Sequence, residues 1–204
     1  MHRLGEASVI GWTLLTLVAA GCGHADAAAP PAAAAAQVAS ATGCLPTHDG
    51  YLRARLRGAI DLDIDWHDAD MQCDGGVRPD GHGERVTFEG PLPGSQTRIR
   101  FVFGLAADPK SAQGRGIPTN ITVIFEGEQK LYSTRGEDKC TIDELTQQPA
   151  TRGRPGQRRA SARGFCVAPA TALTGDASLL LTRFDFAGPI IDEDIDDEPA
   201  HLGR

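Results

Sequence analysis

The residue types best suited to hold a metal ion are concentrated in one stretch of this chain, just after Trp66. Five carboxylate and imidazole side chains lie there: His67, Asp68, Asp70, Asp74 and His82. Carboxylate oxygens and imidazole nitrogens coordinate divalent cations, and a bound metal could activate water for hydrolysis. The same Asp and Gly content is also typical of ordinary turns. We therefore keep a metal-binding protein or a metal-assisted hydrolase as an alternative function, and we expect residues 68–84 to form a loop.

Five arginines form a second cluster, of opposite charge: Arg152, Arg154, Arg158, Arg159 and Arg163. Glycine and proline residues interrupt this stretch, which predicts a flexible basic loop. Guanidinium groups bind phosphates through paired hydrogen bonds, so the loop is a candidate anion-binding site, with a solvated loop that has no ligand as the alternative. Nucleic acid is not an expected partner, because no aromatic residues alternate with the basic ones.

Motifs for catalysis are missing from the sequence. There is no Gly-x-Ser-x-Gly turn, no His-Glu-x-x-His pair and no glycine-rich phosphate loop. Residues 44–190 carry 18 basic and 19 acidic side chains, so most of the net charge of −7 comes from a short acidic run at 192–198. We expect no cofactor and favour a non-enzymatic protein.

Cys22 lies in a distinctive context near the start of the chain. It follows the small residues Ala20 and Gly21, at the end of a mostly apolar run that begins at Ala7. A membrane-spanning helix needs about 20 residues, so this shorter run is typical of a cleaved signal segment. Residues 1–22 resemble the signal peptides of bacterial lipoproteins, in which the cysteine is acylated and the chain is cut just before it.

This resemblance implies that residues 1–21 are removed and that Cys22 carries acyl chains such as palmitate, which hold the protein on a membrane. In enterobacterial lipoproteins an aspartate after the cysteine retains the protein in the inner membrane, and this chain has Gly23 there. We therefore expect a lipid anchor in the outer membrane, with the domain on the periplasmic side. An ordinary signal peptide cut at Ala25-Asp26-Ala27 is the alternative, and it would give a protein without an anchor.

Four cysteines remain when Cys22 is set aside: Cys44, Cys73, Cys140 and Cys166. An even number in an exported chain predicts two disulfides. Four cysteines allow three pairings. We favour Cys44 with Cys73, which joins the start of the domain to the region after Trp66, and Cys140 with Cys166, which closes a long excursion between two strand-like segments. A zinc site is disfavoured because no Cys-x-x-Cys pair is present.

Composition divides the mature chain into three parts. Residues 22–43 are rich in alanine and proline with almost no large apolar side chain, which predicts a flexible tether of about 25 Å average span. Residues 44–190 have the length of one domain. Residues 191–204 contain the acidic run and are predicted to form a disordered tail.

Alternating apolar and polar residues dominate the predicted domain. From Leu52 to Trp66 the apolar set faces one side and arginines and aspartates face the other, with a bend expected at Gly58-Ala59. We expect Asp61, Asp63 and Asp65 to pair with arginines on a solvated sheet face. Weaker alternation recurs, with turns between, at 85–89, 98–105, 120–126, 131–134, 164–167 and 178–186.

This spacing predicts an all-β single domain, an antiparallel β-sandwich or barrel. A short peripheral helix is allowed at 142–148. The predicted core contains Ile60, Ile64, Trp66, Val86, Phe88, Phe101, Phe103, Ile121, Val123, Phe125, Phe184 and Phe186.

The resulting hypothesis is a lipid-anchored cell-envelope protein that binds a partner protein, a glycan or a lipid head group. Beyond the signal peptide, the chain loosely resembles the uncharacterised β-rich envelope lipoproteins of Gram-negative bacteria. The alternatives are the metal-dependent protein described above and a carrier of a small apolar ligand inside a barrel.

Overall fold

The computed structural model describes residues 43–109 and 111–192. The signal segment, Cys22, nearly all of the tether and the acidic run after Asp192 lie outside these residues. Apart from one 3₁₀ turn at Asp68–Asp70, the described elements are strands: β1 (Tyr51–Gly58), β2 (Leu62–His67), β3 (Gln72–Val77), β4 (Glu84–Pro91), β5 (Arg98–Leu105), β6 (Gln113–Gly114), β7 (Ile117–Phe125), β8 (Lys130–Ser133), β9 (Cys140–Pro149), β10 (Gln157–Cys166), β11 (Ala170–Ala172) and β12 (Ser178–Ile191). In the described part of the chain, no helix has the length and apolar character needed to cross a membrane.

The strands form one sheet that closes on itself, which confirms the all-β prediction. Neighbouring strands follow the order β12, β3, β4, β5, β7, β9, β10 and back to β12. Every pairing in this ring is antiparallel except that of β3 with β12. The hairpin of β1 and β2 extends the sheet from β12, because β1 pairs with both β12 and β2.

The long alternating segment forms a hairpin rather than one bent strand. The expected bend is a full turn after Gly58, whose backbone N–H donates to the carboxylate of Asp61 (3.2 Å). In the hairpin, Leu52 faces Trp66, and the charged residues face each other across the strands on the opposite side. The predicted arginine and aspartate pairing is confirmed for Asp63 and Asp65, with Arg57 2.7 Å from Asp63 and Arg53 3.1 Å from Asp65.

Aromatic side chains fill the interior of the ring. Six of the seven phenylalanines are buried, and the ring centroids of Phe103 and Phe186 lie 4.9 Å apart. Trp66 of the hairpin contacts Phe101 edge-on at 5.7 Å, so the hairpin covers the same core. The predicted core is confirmed except at Ile60, which is only partly buried against it.

Both favoured disulfides are present. Cys44 pairs with Cys73, and Cys140 pairs with Cys166. The first attaches the segment before β1 to β3, and the second joins the start of β9 to the end of β10. In the chain-entropy view, each bond stabilises the fold by about 3 to 4 kcal/mol, because it restricts the unfolded chain.

Two local predictions are wrong. Residues 142–148 are part of β9 rather than a helix. Ile142 and Leu145 both face the core at a helix-like spacing of three because β9 bulges at Asp143, where one extra residue is inserted into the pairing with β10. Residues 68–84 are not a continuous loop, since they contain β3; its Gly75-Gly76 step gave no strand signal.

The closure between β3 and β12 has little backbone pairing, with Gly76 opposite Ile191 as its one registered pair. Side chains strengthen this end of the ring. Arg158 on β10 lies 2.8 Å from the fully buried Glu84 on β4, and its guanidinium also binds Asp192, at 2.7 Å, just after β12. Gln147 on β9 donates to Glu84 at 2.7 Å. This group, the closing cluster, links four strands of the ring.

We expect Arg158→Leu to lower the free energy of unfolding by about 3 to 5 kcal/mol, because it leaves the Glu84 carboxylate buried without its cation. Arg163→Leu is the matched control on the same strand. Its partner Glu144 is solvent-accessible, so we expect a loss below about 1 kcal/mol. Equilibrium denaturation of both variants measures the difference, and equal losses would contradict the role given to the closing cluster.

Candidate functional site

The predicted metal ligands do not converge. Asp68 is buried, and its carboxylate accepts hydrogen bonds from the backbone N–H groups of Cys44 (2.9 Å) and Leu45 (2.8 Å) and contacts Nδ1 of His48 (3.0 Å). Its oxygens are thus committed to the segment that precedes β1. Asp70 accepts from the backbone N–H of His67 (2.9 Å) and completes the turn after β2.

The remaining candidates lie along and beyond β3. Asp74 pairs with Arg85 of β4 at 3.3 Å. His82 lies in the turn after β3, and a strand of six residues separates that turn from Asp70 by about 20 Å. Among the described residues, no group of three or more His, Cys, Asp or Glu side chains is arranged to hold a metal ion.

The five arginines are also divided. Arg158, Arg159 and Arg163 are on β10, so the prediction of one continuous basic loop is wrong. Alternate residues of this strand are buried, but three of these four, Ala160, Ala162 and Gly164, are alanine or glycine, which give little strand signal in a sequence. Arg159 pairs with Asp49 at 3.0 Å and Arg163 with Glu144 at 2.6 Å, so all three guanidinium groups have acidic partners.

Arg152 and Arg154 lie in the turn between β9 and β10, as predicted for the basic loop. Both side chains are exposed, and neither forms an ion pair with a described carboxylate. They line a cleft of about 580 Å³ together with Gly43, Leu45 and His48, which we call the amino-terminal cleft. The Cys73 end of the first disulfide forms part of its wall.

Electrostatics favour an anion in this cleft. Asp74, which also lines it, is directed to Arg85, and Asp49 nearby is directed to Arg159. Burial acts to raise the pKa of Asp49, but the hydrogen bond from Thr47 and the charge of Arg159 lower it overall. These carboxylates are therefore occupied, while the two cations of the turn are available to a ligand.

Sequence reasoning missed the role of His48 and Asp68 in building this cleft. The two residues are 20 positions apart, and no periodic pattern links a loop histidine to a buried aspartate over that distance. Gly50 is the sequence feature related to this contact, because a Cβ at this position would lie 2.9 Å from the Asp68 carboxylate.

Comparison with known proteins adds no assignment. The chain matches no protein-family model, no curated protein and no solved structure.

We expect Asp68→Ala to lower the free energy of unfolding by about 2 kcal/mol, because it leaves two buried backbone N–H groups without an acceptor. Hydrogen exchange of the Cys44 and Leu45 amides should accelerate with it. Asp70→Ala is the control in the same turn, and it should leave these two amides protected. Unchanged protection in Asp68→Ala would show that this carboxylate does not hold the segment.

Proposed function

We propose that this protein is a lipid-anchored component of the bacterial outer membrane, acylated at Cys22 and carrying a non-enzymatic β-domain on the periplasmic side. The proposal further assigns the amino-terminal cleft to phosphate groups of lipid head groups. The observation that carries it is the position of Arg152 and Arg154 beside Gly43, where the tether reaches the domain.

The attachment point is suited to a tethered domain. Cys44, one residue after Gly43, is bonded to Cys73 on β3, and Asp68 holds the backbone of Cys44 and Leu45. Any pull along the tether therefore acts on a covalent cross-link and on charge-assisted hydrogen bonds.

Tethering also makes a weak surface interaction effective. Each arginine near an anionic membrane contributes about 1 kcal/mol, too little to recruit a free protein with two such residues. A domain held by a chain of about 25 Å span has an effective concentration near the surface in the millimolar range. Under that condition Arg152 and Arg154 can orient the domain on the membrane.

The two alternatives from the sequence have less support. The metal hypothesis requires convergent ligands, and the candidate residues have separate partners. The carrier hypothesis requires an apolar cavity, whereas the phenylalanine side chains described above pack the interior of the ring. We therefore do not adopt either function.

The anchor predicts a specific mature chain. Mass spectrometry of the protein from its native host should show that it begins at Cys22 and carries acyl chains, and Cys22→Ala should abolish the added lipid mass. A mature chain that starts after Ala27, without added lipid, would contradict the proposal.

The cleft predicts local protection by anionic lipid. In vesicles containing phosphatidylglycerol, amides of residues 150–157 in the lipidated full chain should exchange more slowly than in phosphatidylcholine vesicles, and raised salt should reverse the effect. Arg152→Gln with Arg154→Gln should abolish the difference. Arg115→Gln with Arg183→Gln removes two other exposed, unpaired arginines and should preserve it. Equal losses in the two double variants would show a response to net charge alone.

A further inference from the structure

A second cleft, of about 760 Å³, lies on the outer face of β9, β10 and β12. Its chemistry comes from Arg115, Asp143, Phe165, Thr182 and Arg183. None of these residues belongs to the amino-terminal cleft, and none belongs to the charged clusters predicted as sites from the sequence. We call it the bulge cleft, because two β-bulges build it.

The first bulge is in β9. Arg163 of β10 pairs with Glu144, and the next residue, Gly164, pairs with Ile142, so Asp143 is the extra residue. The inserted residue breaks the alternation, and Asp143 and Glu144 both face away from the core. Glu144 binds Arg163 at 2.6 Å, whereas Asp143 is exposed toward the cleft.

The second bulge is in β12, on the other side of β10. Arg55 of β1 pairs with Arg183 and Leu56 pairs with Leu181, which leaves Thr182 as the extra residue. Thr182 and Arg183 are consequently both exposed, and both line the cleft. Bulges reorient side chains at binding sites, and here two of them direct polar groups to the same place.

β10 passes between the two bulges at Gly164. A Cβ there would lie 2.7 Å from Phe184 and would collide with the backbone oxygen of Thr141, so no larger residue fits. β9, β10 and β12 are therefore all irregular where they line the cleft: β9 and β12 each contain a bulge, and β10 contains a glycine that no larger residue can replace. Arg163 and Phe165 flank this glycine and face outward from the same side of β10.

Two positive charges of the cleft are not neutralised by a carboxylate of the described chain. Neither Arg115 nor Arg183 forms an ion pair with a carboxylate of the described chain, in contrast to Arg163. Two available guanidinium groups can bind a carboxylate or a phosphate through paired hydrogen bonds. Asp143, however, would repel a bare anion. Its oxygens accept hydrogen bonds only, so the complementary ligand carries hydroxyl donors as well as a negative group.

An exposed aromatic ring completes the site. Phe165 is the one phenylalanine that is not buried, with 37% of its surface accessible, whereas the other six are at most 1% exposed. A flat apolar ring beside polar groups is complementary to a ligand that has both an apolar face and hydroxyl groups. A pyranose sugar has both properties, because one face of its ring presents C–H groups and its periphery carries hydroxyl groups.

A peptide ligand fits the backbone less well. Extended peptides commonly add to a sheet through free backbone groups of an edge strand. β10 pairs with β9 as far as Cys166 and with β12 as far as Gly164, and β12 pairs with β1 at the bulge. On the β12 side, only Phe165 and Cys166 of β10 lack a registered partner, so the cleft offers a ligand mainly side chains and at most a two-residue edge.

We propose that the bulge cleft binds an acidic saccharide, a pyranose unit that bears a carboxylate or a phosphate. Arg115 and Arg183 bind the negative group, Phe165 stacks on the ring, and Asp143 and Thr182 bind its hydroxyl groups. This site is separate from the lipid-binding cleft proposed above, and either one can fail without the other.

Isothermal titration calorimetry of the full chain in detergent tests the proposal with four probes. Trigalacturonate supplies the carboxylate and phosphorylated mannotriose the phosphate, while maltotriose is the neutral control and triglutamate the peptide control. At least one acidic saccharide should bind with a dissociation constant of about 1 mM or lower, and both controls should bind about tenfold more weakly. The two acidic probes identify which anion the cleft prefers.

Variants assign the binding to this cleft. Arg115→Gln with Arg183→Gln should weaken binding of the acidic saccharide about tenfold or more, and Phe165→Ala should do so by a similar factor. Arg152→Gln with Arg154→Gln removes the same charge from the other cleft, which has no phenylalanine, tyrosine or tryptophan in its lining, and should leave the affinity for trigalacturonate unchanged. Equal losses in both double variants would overturn the assignment, as would a failure of both acidic saccharides to bind at about 1 mM. If triglutamate binds as tightly as the acidic saccharides, or if Phe165→Ala has no effect on their binding, the ligand of this cleft is not a saccharide.

Discussion

A buried ion pair, Glu84 with Arg158, holds the ring together where its backbone pairing is weakest. The ring closes between β3 and β12, and the closing cluster connects β4, β9, β10 and the end of β12 at that closure. Burial of Glu84 raises the pKa of its carboxylate, although the hydrogen bond and charge of Arg158 oppose that shift. The cluster therefore contributes geometry more than net free energy, because desolvation offsets much of the attraction between its charges. It links the strands at the closure, and the aromatic interior supplies the larger favourable term.

Both clefts lie where the regular sheet is interrupted. The amino-terminal cleft occurs where an irregular segment is attached to β3 by a disulfide, and the bulge cleft occurs where two strands each contain an additional residue. Elsewhere on the outer surface, cross-strand arginines and carboxylates neutralise each other, as in Arg100 with Glu89 at 2.6 Å. Arginines without such partners are thus exceptions, and Arg152 with Arg154 in one cleft and Arg115 with Arg183 in the other are where ligand binding is proposed.

Much of the fold could be predicted from alternation, because a strand with one buried face must show it. The core phenylalanines and the charged face of the hairpin followed from that pattern, whereas the cysteine positions predicted two disulfides but allowed three pairings, of which the favoured one is present. Predictions failed where the pattern was broken: the bulge at Asp143 imitated a helical spacing, and the alanines and glycine on the inner side of β10 concealed a strand. The clefts were not predictable as sites, because each depends on residues that are distant in the sequence and that the fold brings together: Asp68 contacts His48, and Asp143 and Arg183 line the same cleft.

The disulfide pattern bears on how the cysteines are oxidised. Each bond joins neighbours along the domain, with separations of 29 and 26 residues. An enzyme that oxidises thiols in the order in which they leave a translocation channel would join consecutive cysteines, which is the observed pattern. This holds only if Cys44 does not first form a disulfide with a cysteine that precedes it in the chain. Cys22 is such a thiol, and the loop to Cys44 would be shorter than the native one and easier to close. In the proposed lipid-anchored form, acylation of the Cys22 sulfur would also remove the competitor that could misdirect the first oxidation.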